Sequence, residues 1–222
     1  MHFTFIIILL LSLAYPLIRS FESKIEFYYK WKYVFAATII SLAIFIPWVV
    51  YFTTEGIWEY NPNFITGIYI KKLPIEEWLF FIIIPFASLY IYEVINYYYK
   101  KSSTDNLTIL ITILLAFLLV SFATMYYTQA YTSSVFFSLC GLLVFQLIIK
   151  SRYLIKFYLT FLICLLPFFI INGFITGLPI VTASDFENIN LKLFTIPIED
   201  IFFYMLNFLT VLTIYEWVKP RR

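Results

Sequence analysis

Two short motifs place adjacent carboxylates at the start of apolar segments. The first, PIEE, contains Glu76 and Glu77, and the second, PIED, contains Glu199 and Asp200. Pro followed by acids is typical of a helix start, where the helix dipole favours negative charge. Carboxyl groups in apolar surroundings also favour the protonated form and can then act as general acids. The motifs therefore predict either two well-formed helix starts or a shared acid–base site.

The two motifs belong to a longer internal repeat. Residues 74–93 and 197–216 align without a gap at an offset of 123 residues, and both segments end in Tyr-Glu. Ordinary membrane helices share Ile and Phe freely, but they do not share two acids and a terminal Tyr-Glu in register. For the Tyr-Glu pairs, which end at Glu93 and Glu216, we expect interfacial hydrogen bonds or ion pairs. Lys100 follows Glu93 by seven residues, and Lys219 follows Glu216 by three.

The two acids of one motif must have different tasks. Adjacent residues on a helix point about 100° apart, so they cannot serve one site in the same way. We expect Glu76 and Glu199 to face a shared cavity. Glu77 and Asp200 would orient them or accept protons.

The composition indicates an integral membrane protein. Of the 222 residues 63% are hydrophobic and only 13% are charged, whereas soluble domains carry about 25% charge. The net charge of +2 gives no support for nucleic-acid binding. The glycines form neither GxGxxG nor a P-loop, and the single histidine is His2. We therefore expect no cofactor and no metal, and we interpret Cys140 and Cys164 as packing residues.

Seven segments are candidates for crossing a bilayer, which takes roughly 20 residues. The first lacks the basic region and small-residue cleavage site of a signal peptide, so we interpret it as a helix. The predicted helices cover about 3–18, 33–52, 76–99, 107–127, 134–149, 153–173 and 199–218.

The repeat and the helices together predict the fold class. We expect an all-α integral membrane protein whose seven transmembrane helices form two parallel three-helix repeats, helices 1–3 and 5–7, joined by helix 4. The fourth helix restores a parallel orientation of the two repeats, which would be related by an axis along the membrane normal. The predicted divisions are a first repeat over 1–103, a linking helix over 104–133 and a second repeat over 134–222.

The basic residues predict the orientation in the membrane. On this topology all of the 15 Lys and Arg residues except Lys71, Lys72 and Lys192 lie on one side. The positive-inside rule makes that side cytoplasmic. We therefore expect a multi-pass protein of the inner (cytoplasmic) cell membrane with the N-terminus outside and the C-terminus inside.

Aromatic residues, which make up 23% of the chain, are dense next to the acids. Aromatic faces attract cations, so these rings could stabilise a carbocation and exclude water. They could equally pack lipid, as in most membrane proteins. Asn172 could donate a hydrogen bond to a motif carboxylate or cap a helix end. The candidate substrate- and cation-stabilising residues are Trp78, Phe80, Phe81, Phe202, Phe203, Tyr204 and Asn172.

Longer stretches around the motifs resemble the membrane-integral, flavin-independent lycopene cyclase family. FIPWVVYFTTEGIWEYNPNFITGIYIKKLPIEEWLFFIIIP (45–85) resembles the family's first repeat, and NGFITGLPIV (172–181) with ENINLKLFTIPIEDIFFY (187–204) resembles its second. PLIRSFESKIEFYYKWKY (16–33) is also similar. The chain looks like the two subunits of the heterodimeric bacterial β-cyclase fused into one. It departs from the family at Val49, where an acid often follows Pro-Trp.

The resemblance implies a redox-neutral cyclisation with Glu76, Glu77, Glu199 and Asp200 as the catalytic acids. A proton is added to C2 of a ψ end of lycopene, the C5=C6 bond attacks C1, and loss of the C6 proton gives a β-ionone ring, in γ- or β-carotene. The expected partners are lycopene from the bilayer, membrane lipid and other enzymes of carotenoid synthesis, with no nucleic acid.

Other functions remain open at the level of sequence. A cyclase acting on a C50 carotenoid would use the same chemistry. A small membrane transporter or carotenoid-binding protein would also explain parallel repeats with buried acids, although transporters usually show helices interrupted by Gly or Pro near mid-membrane. A retinal-binding photoreceptor needs a Lys within the seventh helix, and 199–218 contains none. A prenyltransferase would need Asp-rich magnesium motifs, which the sequence lacks.

Overall fold

The computed structural model describes residues 2–100 and 104–220, and these residues form seven α-helices. The helices confirm the seven predicted segments, with differences of a few residues at their ends. The helices are α1 (Thr4–Arg19), α2 (Trp31–Thr54), α3 (Ile75–Tyr98), α4 (Asn106–Met125), α5 (Ala130–Ile148), α6 (Leu154–Gly177) and α7 (Ile198–Val218).

Six of the helices, α2 to α7, are long and apolar enough to cross a membrane. A short 3-10 turn, Phe27–Lys30, leads directly into α2. The remaining helix, α1, has 16 residues, fewer than the roughly 20 of a typical span. The apolar helices indicate a multi-pass membrane protein.

Short strands, which the sequence pattern did not predict, connect the helices at one end of the molecule. They form three two-stranded antiparallel sheets, one joining the segment after α2 to the segment after α6 and two hairpins that precede α3 and α7. The strands are β1 (Trp58–Tyr60), β2 (Tyr69–Ile70), β3 (Leu73–Pro74), β4 (Val181–Ala183), β5 (Lys192–Leu193) and β6 (Ile196–Pro197), with β1 paired to β4, β2 to β3 and β5 to β6.

The two hairpins introduce their helices in the same way. The Ile75 N–H donates to the Ile68 carbonyl at 2.9 Å, and the Ile198 N–H donates to the Leu191 carbonyl at 3.0 Å. Both donors and both acceptors are separated by the repeat offset of 123 residues. The local structure around both acidic motifs is therefore the same.

The helices that carry the acids lie at the centre of the fold. Of the six long apolar helices, α7 and α3 are the most buried and α4 is the least. Helix α1 packs on α3 and α5 on α7, while α2 packs on α7 and α6 on α3, so each half contributes a helix to the other. Helix α4 packs mainly on α5 and leaves Leu110, Ile113 and Phe117 exposed.

The Tyr-Glu pairs at the other end of α3 and α7 interlock, which confirms the expected hydrogen bonds and ion pairs. The Tyr215 hydroxyl donates to Glu93 at 2.7 Å, and the Tyr92 hydroxyl donates to Glu216 at 3.1 Å. Glu93 is buried and also pairs with Lys30 at 2.5 Å and with Lys219 at 2.6 Å. Lys219 therefore lies closer to Glu93 than to Glu216, because its Nζ is 3.7 Å from the Glu216 carboxylate.

Basic residues gather around this same end. One wide cavity there is lined by residues that include Lys24, Lys30, Lys150 and Lys219. Lys101, Arg221 and Arg222, which the predicted topology also assigns to this side, lie outside the described residues, as does residue 103 at the predicted end of the first repeat.

Candidate active site

The first acid of each motif holds its own hairpin in place. Glu76 Oε1 accepts the Thr66 N–H at 2.7 Å, and Glu199 Oε1 accepts the Ile189 N–H at 2.8 Å. The two donors, like the two acceptors, are 123 residues apart. Glu199 Oε1 also accepts the Thr132 hydroxyl at 2.6 Å. Both glutamates are buried. Neither of them lines the cavity that contains Glu77 and Asp200.

The prediction had Glu76 and Glu199 facing a shared cavity, whereas Glu77 and Asp200 line this one. Each hairpin folds back over the start of its helix and presents a backbone N–H to the first acid. A buried backbone donor needs an acceptor, and the first carboxylate supplies it. The second acid, about 100° further around the helix, is left to point toward the other half.

The second acids, Glu77 and Asp200, line one cavity of about 70 Å³ between the two halves of the chain. The two carboxyls are close enough to interact electrostatically. A cavity of this volume holds about two water molecules at roughly 30 Å³ each. The fold therefore brings together one acid from each motif in a small, largely apolar space.

Asp200 is held by two side-chain donors. The Tyr131 hydroxyl donates to Oδ1 at 2.6 Å, and the Asn172 amide donates to Oδ2 at 2.9 Å. The Asn172 contact is one of the two roles expected from the sequence. Hydrogen bonds from neutral donors favour the ionised form of a carboxyl. The surroundings of Asp200 are therefore built for a carboxylate.

Glu77 has a single weaker neighbour, the Tyr60 hydroxyl, in place of the two donors of Asp200. In the part of the chain that the structure describes, no donor reaches it in standard hydrogen-bond geometry. The Tyr60 hydroxyl interacts with Glu77 but is itself without a hydrogen bond of standard geometry. Burial, and then the nearby Glu77 carboxyl, raise the pKa of Tyr60 well above its usual value. This hydroxyl therefore stays protonated at physiological pH.

The difference between the two acids follows from the residues at matching positions. Val49 lies 123 residues before Asn172 and is buried and apolar. Phe5 matches Tyr131, because the Phe5 N–H donates to the Phe64 carbonyl as the Tyr131 N–H donates to the Glu187 carbonyl. Both residues that serve Asp200 are thus replaced by apolar ones in the first half of the chain.

Aromatic rings surround the cavity, with Phe203 at the centre of the group. Its ring lies 5.6 Å from Phe45, 5.3 Å from Trp58 and 6.1 Å from Phe81, measured between centroids, and all three pairs meet edge to face. On the other side of the site, Tyr204 stacks on Phe168 at 4.9 Å. The rings therefore cover Glu77, which is buried, while Asp200 is partly exposed.

Most of the predicted aromatic set lines the cavity, but two members do not. Phe80, Phe81, Phe203 and Tyr204 line it, as does Asn172. The Trp78 indole N–H instead donates to the Ile70 carbonyl at 3.3 Å, in the first hairpin. Phe202 packs on Phe136 with the centroids 5.0 Å apart. Both side chains belong to helix faces that turn away from the site.

Ten residues of the cavity wall were not among the predicted site residues, and four of them are relevant for their aromatic or amide side chains. They come from segments outside the repeat alignment or from positions without a paired motif. Tyr131 was left outside the predicted fifth helix, although a polar stretch directly before an apolar run signals a helix start. The four residues are Trp58, Tyr131, Phe168 and Asn207.

This geometry defines a class of protein: a helical membrane protein in which two acids, one from each half of the chain, line one cavity. The sequence model of the lycopene cyclase family matches residues 2–95 and 128–218. The chain belongs to the lycopene cyclase family. The two matched segments lie on either side of α4, which the match does not include.

A similar protein is the bifunctional lycopene cyclase/phytoene synthase of Aspergillus oryzae (strain ATCC 42149 / RIB 40). It is 35% identical over 66 residues, which cover 30% of this chain and 11% of that protein. The chain thus matches about a tenth of the length of this relative. No solved structure matches the chain.

Proposed function

We propose that the chain closes a β-ionone ring at a ψ end of lycopene by acid catalysis without redox change. One observation carries the proposal: in a member of the lycopene cyclase family, Glu77 and Asp200 line the same cavity, whose wall is rich in aromatic rings. Cyclisation needs a proton donor, a proton acceptor and a dry site that tolerates a carbocation. The cavity offers the two carboxyls and a largely aromatic wall, and a bound ψ end would displace water from it.

The two acids divide the proton transfers between them. Two neighbouring carboxyls in a low-dielectric site cannot both ionise easily, so one of them holds a proton. Asp200 receives two donors in standard geometry, whereas Glu77 has only the Tyr60 hydroxyl, outside that geometry. The proton therefore resides on Glu77, which acts as the general acid, and Asp200 is the ionised base.

The reaction is balanced in protons and electrons. Glu77 donates its proton to C2, which leaves a cation at C1. The C5=C6 double bond attacks C1, forms the C1–C6 bond and moves the cation to C5. Asp200 then removes the proton from C6, and the electron pair of that bond makes the new C5=C6 double bond. Return of the proton to Glu77 restores the starting state.

The rings around the cavity protect the cation. Aromatic faces attract positive charge, and Tyr204, Phe81 and Phe203 line the cavity together with the acids. A cavity of about 70 Å³ is smaller than the roughly 300–1,000 Å³ of common ligand pockets. A ψ end must therefore displace side chains as it enters, and the rings close around it without room for water.

The arrangement in the membrane forms part of the proposal. Helices α1–α3 and α5–α7 are two parallel repeats, and α4 links them. The shared local structure at the 123-residue offset supports this division, and so does the family match on either side of α4. The N-terminus lies outside the inner membrane and the basic end lies in the cytoplasm. Lycopene reaches the acids from the bilayer.

The test is expression in bacteria that accumulate lycopene, with the pigments separated by chromatography. The wild-type chain is expected to convert lycopene to γ- or β-carotene. Glu77→Gln should leave lycopene unchanged at equal expression. Glu59→Gln makes the same chemical change at an exposed carboxylate of β1 and should behave as wild type.

Each of the other functions has its own outcome in this test. Unchanged lycopene with a well-expressed wild type would contradict a C40 cyclase. The same strain supplied with a C50 precursor then tests the longer substrate. Pigment that is bound by the purified protein but never cyclised would point to a carotenoid-binding protein or transporter.

A further inference from the structure

The end of the molecule opposite the acids carries a second concave site. A cavity of about 1470 Å³ opens there between the ends of α3, α5 and α7 and the segment before α2. We refer to this cavity as the basic basin. It lies far from Glu77 and Asp200 along the same helices, so the proposed chemistry does not use it.

The basin has a marked excess of positive charge. Seven Lys and Arg side chains line it against three Glu, a formal excess of four (7 − 3). Lys30 and Lys219 are paired with the buried Glu93. Two more lysines lie over tyrosine rings, Lys32 on Tyr33 and Lys100 on Tyr97, and those rings carry no charge to balance them. Among the described residues, the lining cations outnumber the anions that could neutralise them.

The junction between α5 and α6 concentrates donors on one wall of the basin. Lys150, Ser151 and Arg152 are consecutive and all line it. Lys150 has a φ of 51°, which breaks the helix and lets the three residues face a common space. Ser151 is buried, and its hydroxyl lacks a hydrogen-bond partner of standard geometry in the described chain. The Tyr153 hydroxyl lies close enough to interact with it, so this wall of the basin carries two hydroxyls beside the two cations.

We propose that the basic basin binds the phosphate of an anionic membrane lipid through Lys150, Ser151 and Arg152. A guanidinium can grip phosphate oxygens with two parallel hydrogen bonds, and a lysine adds a point charge. Basic pockets between membrane helices on the cytoplasmic side bind the head groups of acidic lipids. Because the basin lies where apolar helices end, the phosphate that reaches it is attached to a lipid.

A general preference for positive charge on one side of the membrane does not account for the basin. That preference concerns the number of Lys and Arg near helix ends. It does not require them to converge on one cavity, as seven of them do here.

The test measures lipid binding to the purified full chain in neutral detergent micelles. Phosphatidylglycerol is titrated in, and bound lipid is followed by native mass spectrometry and by the thermal unfolding midpoint. Each basic residue near a membrane surface strengthens such binding roughly fivefold, so the double variant Lys150→Gln/Arg152→Gln should bind about 25-fold more weakly. Phosphatidylcholine should bind weakly to every variant.

A matched control removes two lysines at the other end. Lys71 and Lys72 are exposed and, like Lys150, have positive φ angles. Lys71→Gln/Lys72→Gln should leave the affinity for phosphatidylglycerol within twofold of wild type. Equal losses in both double variants, or no loss in either, would overturn the proposal.

Inorganic phosphate tests whether the basic basin binds the phosphate of a lipid or a free phosphate ion. At matched concentration it should neither raise the unfolding midpoint as the lipid does nor displace the lipid. Phosphate that produces the full effect alone would overturn the assignment to lipid. None of these readouts depends on ring formation, so their result is independent of the proposed cyclase activity.

Discussion

Two neighbouring hydroxyls on α5 allow the roles of the two acids in one motif to be separated. Tyr131 donates to Asp200 at 2.6 Å, and Thr132 donates to Glu199 at 2.6 Å. Tyr131→Phe and Thr132→Val each remove one hydroxyl and keep the approximate shape. The two variants therefore lose equally short hydrogen bonds to adjacent carboxyls.

The magnitudes follow from the lost bonds. A hydrogen bond to a charged group contributes about 1.5–3 kcal/mol, so each variant should lower the free energy of unfolding by up to about that amount. Tyr131→Phe also destabilises the ionised form of Asp200 by the same amount, because that form loses one of its donors. The rate of ring formation should then fall by about 10- to 150-fold, and less if the Asn172 amide compensates. In Thr132→Val the Ile189 N–H still holds Glu199, and the rate should stay close to wild type.

The assay is the initial rate of cyclised product in isolated membranes supplied with lycopene, normalised to folded protein. The unfolding midpoint of the purified variants is measured alongside. Tyr127→Phe makes the Tyr-to-Phe change at an exposed residue and controls for the substitution itself. A large rate loss in Thr132→Val together with a normal rate in Tyr131→Phe would refute the division of roles.

Three more predictions concern other parts of the structure. Val49→Asn offers Glu77 a donor like that of Asp200, which favours its ionised form, and should slow ring formation about tenfold without lowering the unfolding midpoint. Lys219→Gln removes one of two cations from the buried Glu93 and should destabilise the purified protein by about 1.5–3 kcal/mol in denaturant unfolding. Phe203→Leu opens the cavity to water, and hydroxylated products from capture of the cation should appear by mass spectrometry.

The order of the helices could be predicted because long apolar runs leave few alternatives. The matching of the two motifs was also visible, since the acids and the terminal Tyr-Glu recur at one offset. The paired contacts of Glu93 and Glu216 followed from the same repeat. These features depend on the spacing of residue types along the chain, which can be seen in a single sequence.

The direction of each acid could not be predicted from the sequence. Helical geometry states that Glu76 and Glu77 point different ways, but it does not say which one faces the other half. The choice depends on the two-residue strands of the hairpin, which bring the Thr66 N–H over the start of α3. Strands of this length are too short to show an alternating pattern.

Tyr131 was missed for a related reason. The predicted fifth helix begins at about 134, where the continuous apolar run starts. In the structure α5 begins at Ala130, whose N–H donates to the Glu187 side chain at 2.8 Å. That partner lies 57 residues further along the chain. A helix start that depends on so distant an acceptor leaves little trace in its own sequence.

The most direct test of the central claim compares the four motif carboxyls as amides in lycopene-accumulating bacteria. The variants are Glu76→Gln, Glu77→Gln, Glu199→Gln and Asp200→Asn, at equal expression, with carotene and lycopene measured by chromatography. Loss of a group that transfers a proton costs about 10²–10⁴ in rate, so the variants of Glu77 and Asp200 should retain lycopene. The variants of Glu76 and Glu199 keep an acceptor oxygen for their hairpins and should still form rings. The opposite pattern would contradict the account.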